Sequence, residues 1–232
     1  MVVISAAAFA SAASALAQQW ESDRTSRADR AELQVFPNGP WVKPLTLGRA
    51  RLVADAAWLQ AIQYYGEHRK TDRRYPYAGT LFQTLTGLDP AFENAYVLGA
   101  LILSEDAGHF DQAVQLLVEG VNANPESWRL PFELGFLFYR HGLDRGTGVS
   151  PDAVRWLAHA GRQAGAPPSV RRLAAFAAQR SGARELSIAL WIESLRASEN
   201  AEVRRIAEEH LVQLGVPPAE LEGVDRTPEE SR

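Results

Sequence analysis

The sequence predicts an all-α fold assembled from successive helix pairs, and three observations carry that prediction. Apolar residues recur at helical rather than alternating spacing along most of the stretch from Gly48 to Leu214. A small residue, a large one four places on and a small or apolar one three further appear together four times. The sets are Ala78, Phe82, Leu85; Ala113, Leu117, Gly120; Ala153, Leu157, Ala160; and Ser187, Trp191, Ser194. Their first members lie 35, 40 and 34 residues apart, which is a repeat with one insertion. Finally, Gly66, Gly99, Gly135 and Ala175 stand in the partner helices, at positions where a larger side chain would hold two helices apart.

Taken in order, residues Gly48 to His68 place Leu52, Val53, Ala56, Leu59, Ile62 and Tyr65 at helical spacing and form the first helix of the first pair. A basic loop from Arg69 to Arg74 follows. Tyr75 to Leu88 forms the second helix, stopped by Asp89-Pro90 because proline disfavours helical backbone in the residue before it. Phe92 to Pro125 reads as the next pair, two amphipathic helices about a tight turn containing glycine. The third pair absorbs its extra residues in the loop Leu143 to Ser150, resumes from Asp152 to Gln163 and stops before Pro167-Pro168. Arg184 to Ala197 supplies the second helix of the fourth pair. Asn200 to Leu214 is a further helix with Val203, Ile206, Ala207, His210 and Leu214 along one side and a surface dense in Arg and Glu, as the end of a repeat array requires. Residues 215–232 are rich in Pro and Glu and are predicted to be disordered.

The small-large-small positions, the period near 34 and the closing prolines resemble tetratricopeptide (TPR) repeats over Leu59 to Leu195. The resemblance implies a right-handed α-solenoid of about four TPR-like helix pairs, spanning 48–214 with its C-terminal capping helix. The arrangement of an apolar leader, a Pro-rich segment, the run LVADAAWLQAIQYYG and then repeats is also similar to small exported TPR proteins of bacterial cell envelopes. That second likeness implies export, to the periplasm or to a membrane-anchored position in the envelope.

The N-terminal sequence admits more than one reading. Residues 1–17 are apolar and uncharged and end in Ala15-Leu16-Ala17, a small-x-small pattern that fits signal-peptidase cleavage before Gln18. No Lys or Arg precedes the apolar run, so an uncleaved membrane anchor and an ordinary Ala-rich helix remain alternatives. Residues 18–47 comprise a polar, charge-mixed spacer and then a segment with Pro37, Pro40 and Pro44 that runs extended, with Trp41 expected to pack on the first helix.

Composition argues against several chemistries. A net charge of −4 with both signs interspersed gives no electrostatic reason to expect a nucleic-acid partner. With no cysteine there is neither a disulfide framework nor a thiolate metal site. The histidines at 68, 109, 141, 159 and 210 form no HExxH pair, no GxSxG elbow is present, and Gly146-Thr147-Gly148 lacks the Lys and hydroxyl residue of a phosphate loop. The sequence therefore predicts a non-enzymatic protein without metal, cofactor or small-molecule substrate.

In TPR-like stacks the first helix of each pair lines a concave groove. The resemblance thus implies a groove lined by Gln60, Gln63, Tyr64, Glu67, Glu93, Tyr96, Leu103, Arg129, Phe132, Phe136 and Tyr139. Aromatics mixed with amides and charges suit a peptide or helix partner, although Phe132 and Phe136 would serve equally well as packing between neighbouring helices. Arg69, Lys70, Arg73 and Arg74 form a second candidate patch, for an acidic segment or for lipid headgroups. The functional expectation is a scaffold that assembles an envelope complex. The alternative is a permanent subunit of a membrane assembly, anchored through residues 2–17.

Overall fold

A computed structural model describes residues 46–221, and within that range every regular element is a helix. The segments 1–17 and 18–45, the Trp41 contact and the tail beyond residue 221 lie outside the described residues. The helices are α1 (Ala50–Lys70), α2 (Ala78–Leu88), α3 (Glu93–Leu101), α4 (Phe110–Ala123), α5 (Arg129–Asp144), α6 (Pro151–Arg162), α7 (Pro168–Arg180), α8 (Arg184–Arg196), α9 (Ala201–Gln213) and a short α10 (Pro218–Leu221). Local sequence sets several of the boundaries. Ser150 caps α6 by accepting a hydrogen bond from the Ala153 amide at 3.2 Å, and Pro151 takes the first helical position, where no amide hydrogen is needed. Asn200 caps α9 in the same way, accepting from Glu202 and Val203.

Each helix packs on the next in chain order, and α3 also touches α5 while α2 touches α4. The buried apolar residues form two main clusters, one from α1 to α5 and one from α6 to α9, with Phe138 packed against both. Both clusters draw on the recurring triples: Ala78, Phe82 and Leu85, then Ala113 and Leu117, then Ala153 and Leu157, then Trp191 all have 2% exposure or less. Such residues each gain on the order of 1.5–3 kcal/mol from burial, Ala less. Close approach between paired helices is real at two of the predicted positions. A Cβ on Gly99 would lie 2.7 Å from both Leu116 and Phe82, and one on Gly135 would lie 2.7 Å from the Leu157 backbone nitrogen. At the corresponding place in the fourth pair, Ala175 is fully buried and its carbonyl accepts from the Ser187 hydroxyl at 3.0 Å.

The structure corrects the sequence reading in three places. Nothing lies within 4 Å of the Cβ that Gly66 lacks, so the first pair does not approach there; the fully buried Ala54, Ala57 and Ala61 make that contact instead. The α3 helix does not end in a simple turn but continues into a π-helical turn, Ile102–Asp106. Beyond Gly215 the chain is ordered for a few residues more, since Val216 and Leu221 pack against the second cluster and α10 forms one turn.

Candidate partner-binding groove

Three of the predicted groove residues are core residues. Tyr64 is 6% exposed, with its ring 4.5 Å from His68 and 6.3 Å, edge-on, from Tyr75, and its hydroxyl oxygen accepts from the Tyr77 amide. Tyr96 is 3% exposed because its ring lies against Gly120, where a Cβ would sit 2.8 Å from it, and burial raises its hydroxyl pKa. Leu103 is 2% exposed within the π turn. The physical reason is register: one residue along a helix is a rotation of roughly 100°. Glu93, Tyr96 and Leu103 lie 35 residues before Trp128, Pro131 and Phe138, two of which face the core, whereas Asn94, Val97 and Leu101 lie 35 before Arg129, Phe132 and Phe136.

The four predicted residues on α5 are placed differently. Arg129, Phe132, Phe136 and Tyr139 are all partly exposed. Their rings form a file along one side of the helix: Trp128 to Phe132 at 6.1 Å, Phe132 to Phe136 at 5.9 Å and nearly parallel, Phe136 to Tyr139 at 6.4 Å. Phe132 and Tyr139 lean on the second core cluster, while Phe136 belongs to neither cluster. Helical geometry places Phe136 opposite the buried Leu130 and Leu134. The neighbouring repeats carry an apolar residue at the same place: Leu101, 35 residues earlier and 46% exposed, and Phe176, 40 residues later and partly exposed. Sequence reasoning missed Leu101 and Phe176, and the signal that finds them is the repeat interval counted from Phe136.

Polar links tie this face together. The Arg129 guanidinium donates to Asn94 Oδ1 at 2.7 Å, and Arg140 pairs with Glu105 at 2.6 Å, so α5 is held to α3 and its π turn at both ends. The Tyr65 hydroxyl donates to Asp106 at 3.1 Å, adding α1 to the same line. Between the two arginine links lies Glu133, partly buried and without an ion pair or hydrogen bond among the described residues. Burial raises its carboxyl pKa, with the nearby Arg129 charge acting in the opposite sense.

The remaining predicted residues are dispersed. Gln60, Gln63 and Glu67 are exposed on α1, and Glu93 occupies the first turn of α3. Arg69, Lys70, Arg73 and Arg74 are all exposed, but Arg69 donates to the Tyr65 hydroxyl at 3.1 Å and lies over that ring. Asp72 beside them bonds His68 at 2.7 Å and accepts from the Arg74 amide, both of which hold its carboxyl pKa low. Two other histidines serve as packing rings, His141 stacked on Phe110 at 3.7 Å and His210 on Trp191 at 4.4 Å. Among the described residues no three His, Asp or Glu side chains converge as metal ligands, and no helix is long and apolar enough to cross a membrane. No protein-family model and no curated protein sequence matches this chain.

Proposed function

We propose that this protein is a non-enzymatic scaffold of the cell envelope. Its helix pairs form a TPR-like right-handed solenoid capped by α9, and the first helices of successive pairs present a groove to a partner segment. One observation carries the reading: an apolar side chain left at least partly exposed recurs at the repeat interval, as Leu101, Phe136 and Phe176, the last also packed against the second core cluster, on a face whose other residues are polar or engaged in inter-helix links. Partly exposed aromatics in a file supply burial to a bound segment, and the polar rim sets its register. Contacts between second neighbours, α3 with α5 and α2 with α4, support stacking of pairs rather than a closed bundle. The envelope assignment is supported by the leader-like residues 1–17.

Photo-crosslinking in the native cells tests the groove. A benzophenone side chain at position 136 or 101 should capture one discrete polypeptide, and the same group at Glu119, exposed on α4, should not. Capture at Glu119 equal to that at 136, or capture at none of the three, refutes the groove. Mass spectrometry of the mature N-terminus tests export separately, the expected start being Gln18.

A further inference from the structure

The register of the repeats places Glu133 at a position that is leucine on either side of it. Leu98 lies 35 residues earlier and Leu173 lies 40 later, and both pack partly buried against the core clusters. Glu133 therefore sets a carboxylate where the array otherwise sets a hydrocarbon, one helical turn from the outward Phe136. No side chain among the described residues bonds or pairs with it, and the Arg129 charge offsets only part of the cost of its burial. Arg129, one turn before it, is drawn to Asn94, and Arg140 is drawn to Glu105. A carboxylate stripped of part of its water and given no partner is unfavourable for the free fold, and a cation arriving from outside relieves that penalty.

From this juxtaposition we infer that the groove takes a segment presenting one Lys or Arg side chain to Glu133, with apolar side chains on either side reaching Leu101 and Phe136. The inference rests on the groove reading above and adds the chemistry of the partner. An aromatic face next to a carboxylate suits a cation twice over, through the ion pair and through the ring quadrupole of Phe136. Burial raises the Glu133 carboxyl pKa against the pull of the Arg129 charge, because the ionised form has lost solvent without gaining a side chain in contact.

Binding of fluorescein-labelled helical peptides of about 15 residues, Leu- and Ala-rich and differing only in a central Lys, Gln or Glu, tests this with the full chain. The Lys peptide should bind about tenfold more tightly than the Gln peptide. Glu133→Gln should abolish that preference, and Glu133→Lys should transfer it to the Glu peptide. Phe136→Ala should weaken all three. Equal affinity of the parent protein for the Lys and Gln peptides, or a Lys preference that survives Glu133→Gln, overturns the cation assignment and leaves the groove standing. Failure of all three peptides to bind at about 1 mM overturns both.

Discussion

Gly66 and Gly135 occupy comparable places in the repeat pattern, yet replacing each by alanine should move stability in opposite directions. At Gly66 an added Cβ meets nothing within 4 Å, so the substitution removes only the backbone entropy that glycine loses on entering a helix. Gly66 lies inside α1, where alanine is favoured over glycine by about 0.8–1 kcal/mol. At Gly135 the same propensity gain applies, but the Cβ would stand 2.7 Å from the Leu157 nitrogen, 2.8 Å from Leu157 Cγ and 3.1 Å from the Trp156 carbonyl carbon. Two of these are backbone atoms of α6, so relief requires the helices to separate. Overpacking of that kind costs about 1–3 kcal/mol or more. Net destabilisation of about 1–2 kcal/mol is expected for Gly135→Ala, and net stabilisation approaching 1 kcal/mol for Gly66→Ala. For a domain of this size, 1 kcal/mol corresponds to about 2–4 °C in Tm, readable by circular dichroism during thermal unfolding of the full chain. A Gly135→Ala protein as stable as its parent, or a less stable Gly66→Ala protein, would refute the reasoning.

Two further outcomes follow from the same geometry. The Glu133 carboxyl titrates above its ordinary range in the folded protein, so the fold gains stability as pH falls through that raised value and loses it as pH rises; Glu133→Gln should flatten this dependence and exceed the parent in stability at neutral pH, as urea titrations at several pH values would show. Removing the α6 cap by Ser150→Ala should cost about 1 kcal/mol, measured as a lower urea midpoint at unchanged slope, and Ser150→Asp should retain most of it.

The existence and pairing of the helices were legible because burial of one face imposes a 3.6-residue period, and the recurring triples such as Ala78, Phe82, Leu85 are the residues that face is made of. Gly99 and Gly135 were legible for the same reason, since close approach leaves no alternative to a missing side chain. The outward face was less so. A rotation of one residue separates Tyr96 from Val97, and amphipathic tyrosine gives no sign in the sequence of whether its ring lies in a groove or against Gly120 on a neighbouring helix. Leu103, one more turn along the face of Tyr96 and Gly99, follows them inward for the same reason. Glu133 was overlooked because a charged residue in a helix reads as solvated surface; its meaning depends on Leu98 and Leu173, and they become its equivalents only when the register between repeats is known.

The same register bounds what the proposed groove could hold. The apolar ladder runs from Leu101 through Phe136 to Phe176 and stops there, because the Phe176 ring meets the edge of His210 from α9 at 6.2 Å and Arg180 covers it. Toward the other end, α1 sets Gln60, Gln63 and Glu67 among the exposed Leu59 and Ile62 and offers no aromatic there. With about 10 Å between adjacent packed helices, three rungs of the proposed groove would span about 20 Å. A helix covers that distance with about 13 residues and an extended strand with about six. On the proposed reading the groove therefore suits a short segment rather than a folded domain. Trimming a captured partner should leave affinity intact down to that length and abolish it once the residue that meets Glu133 is removed; a partner that binds only as an intact domain would show that the contact lies on another face.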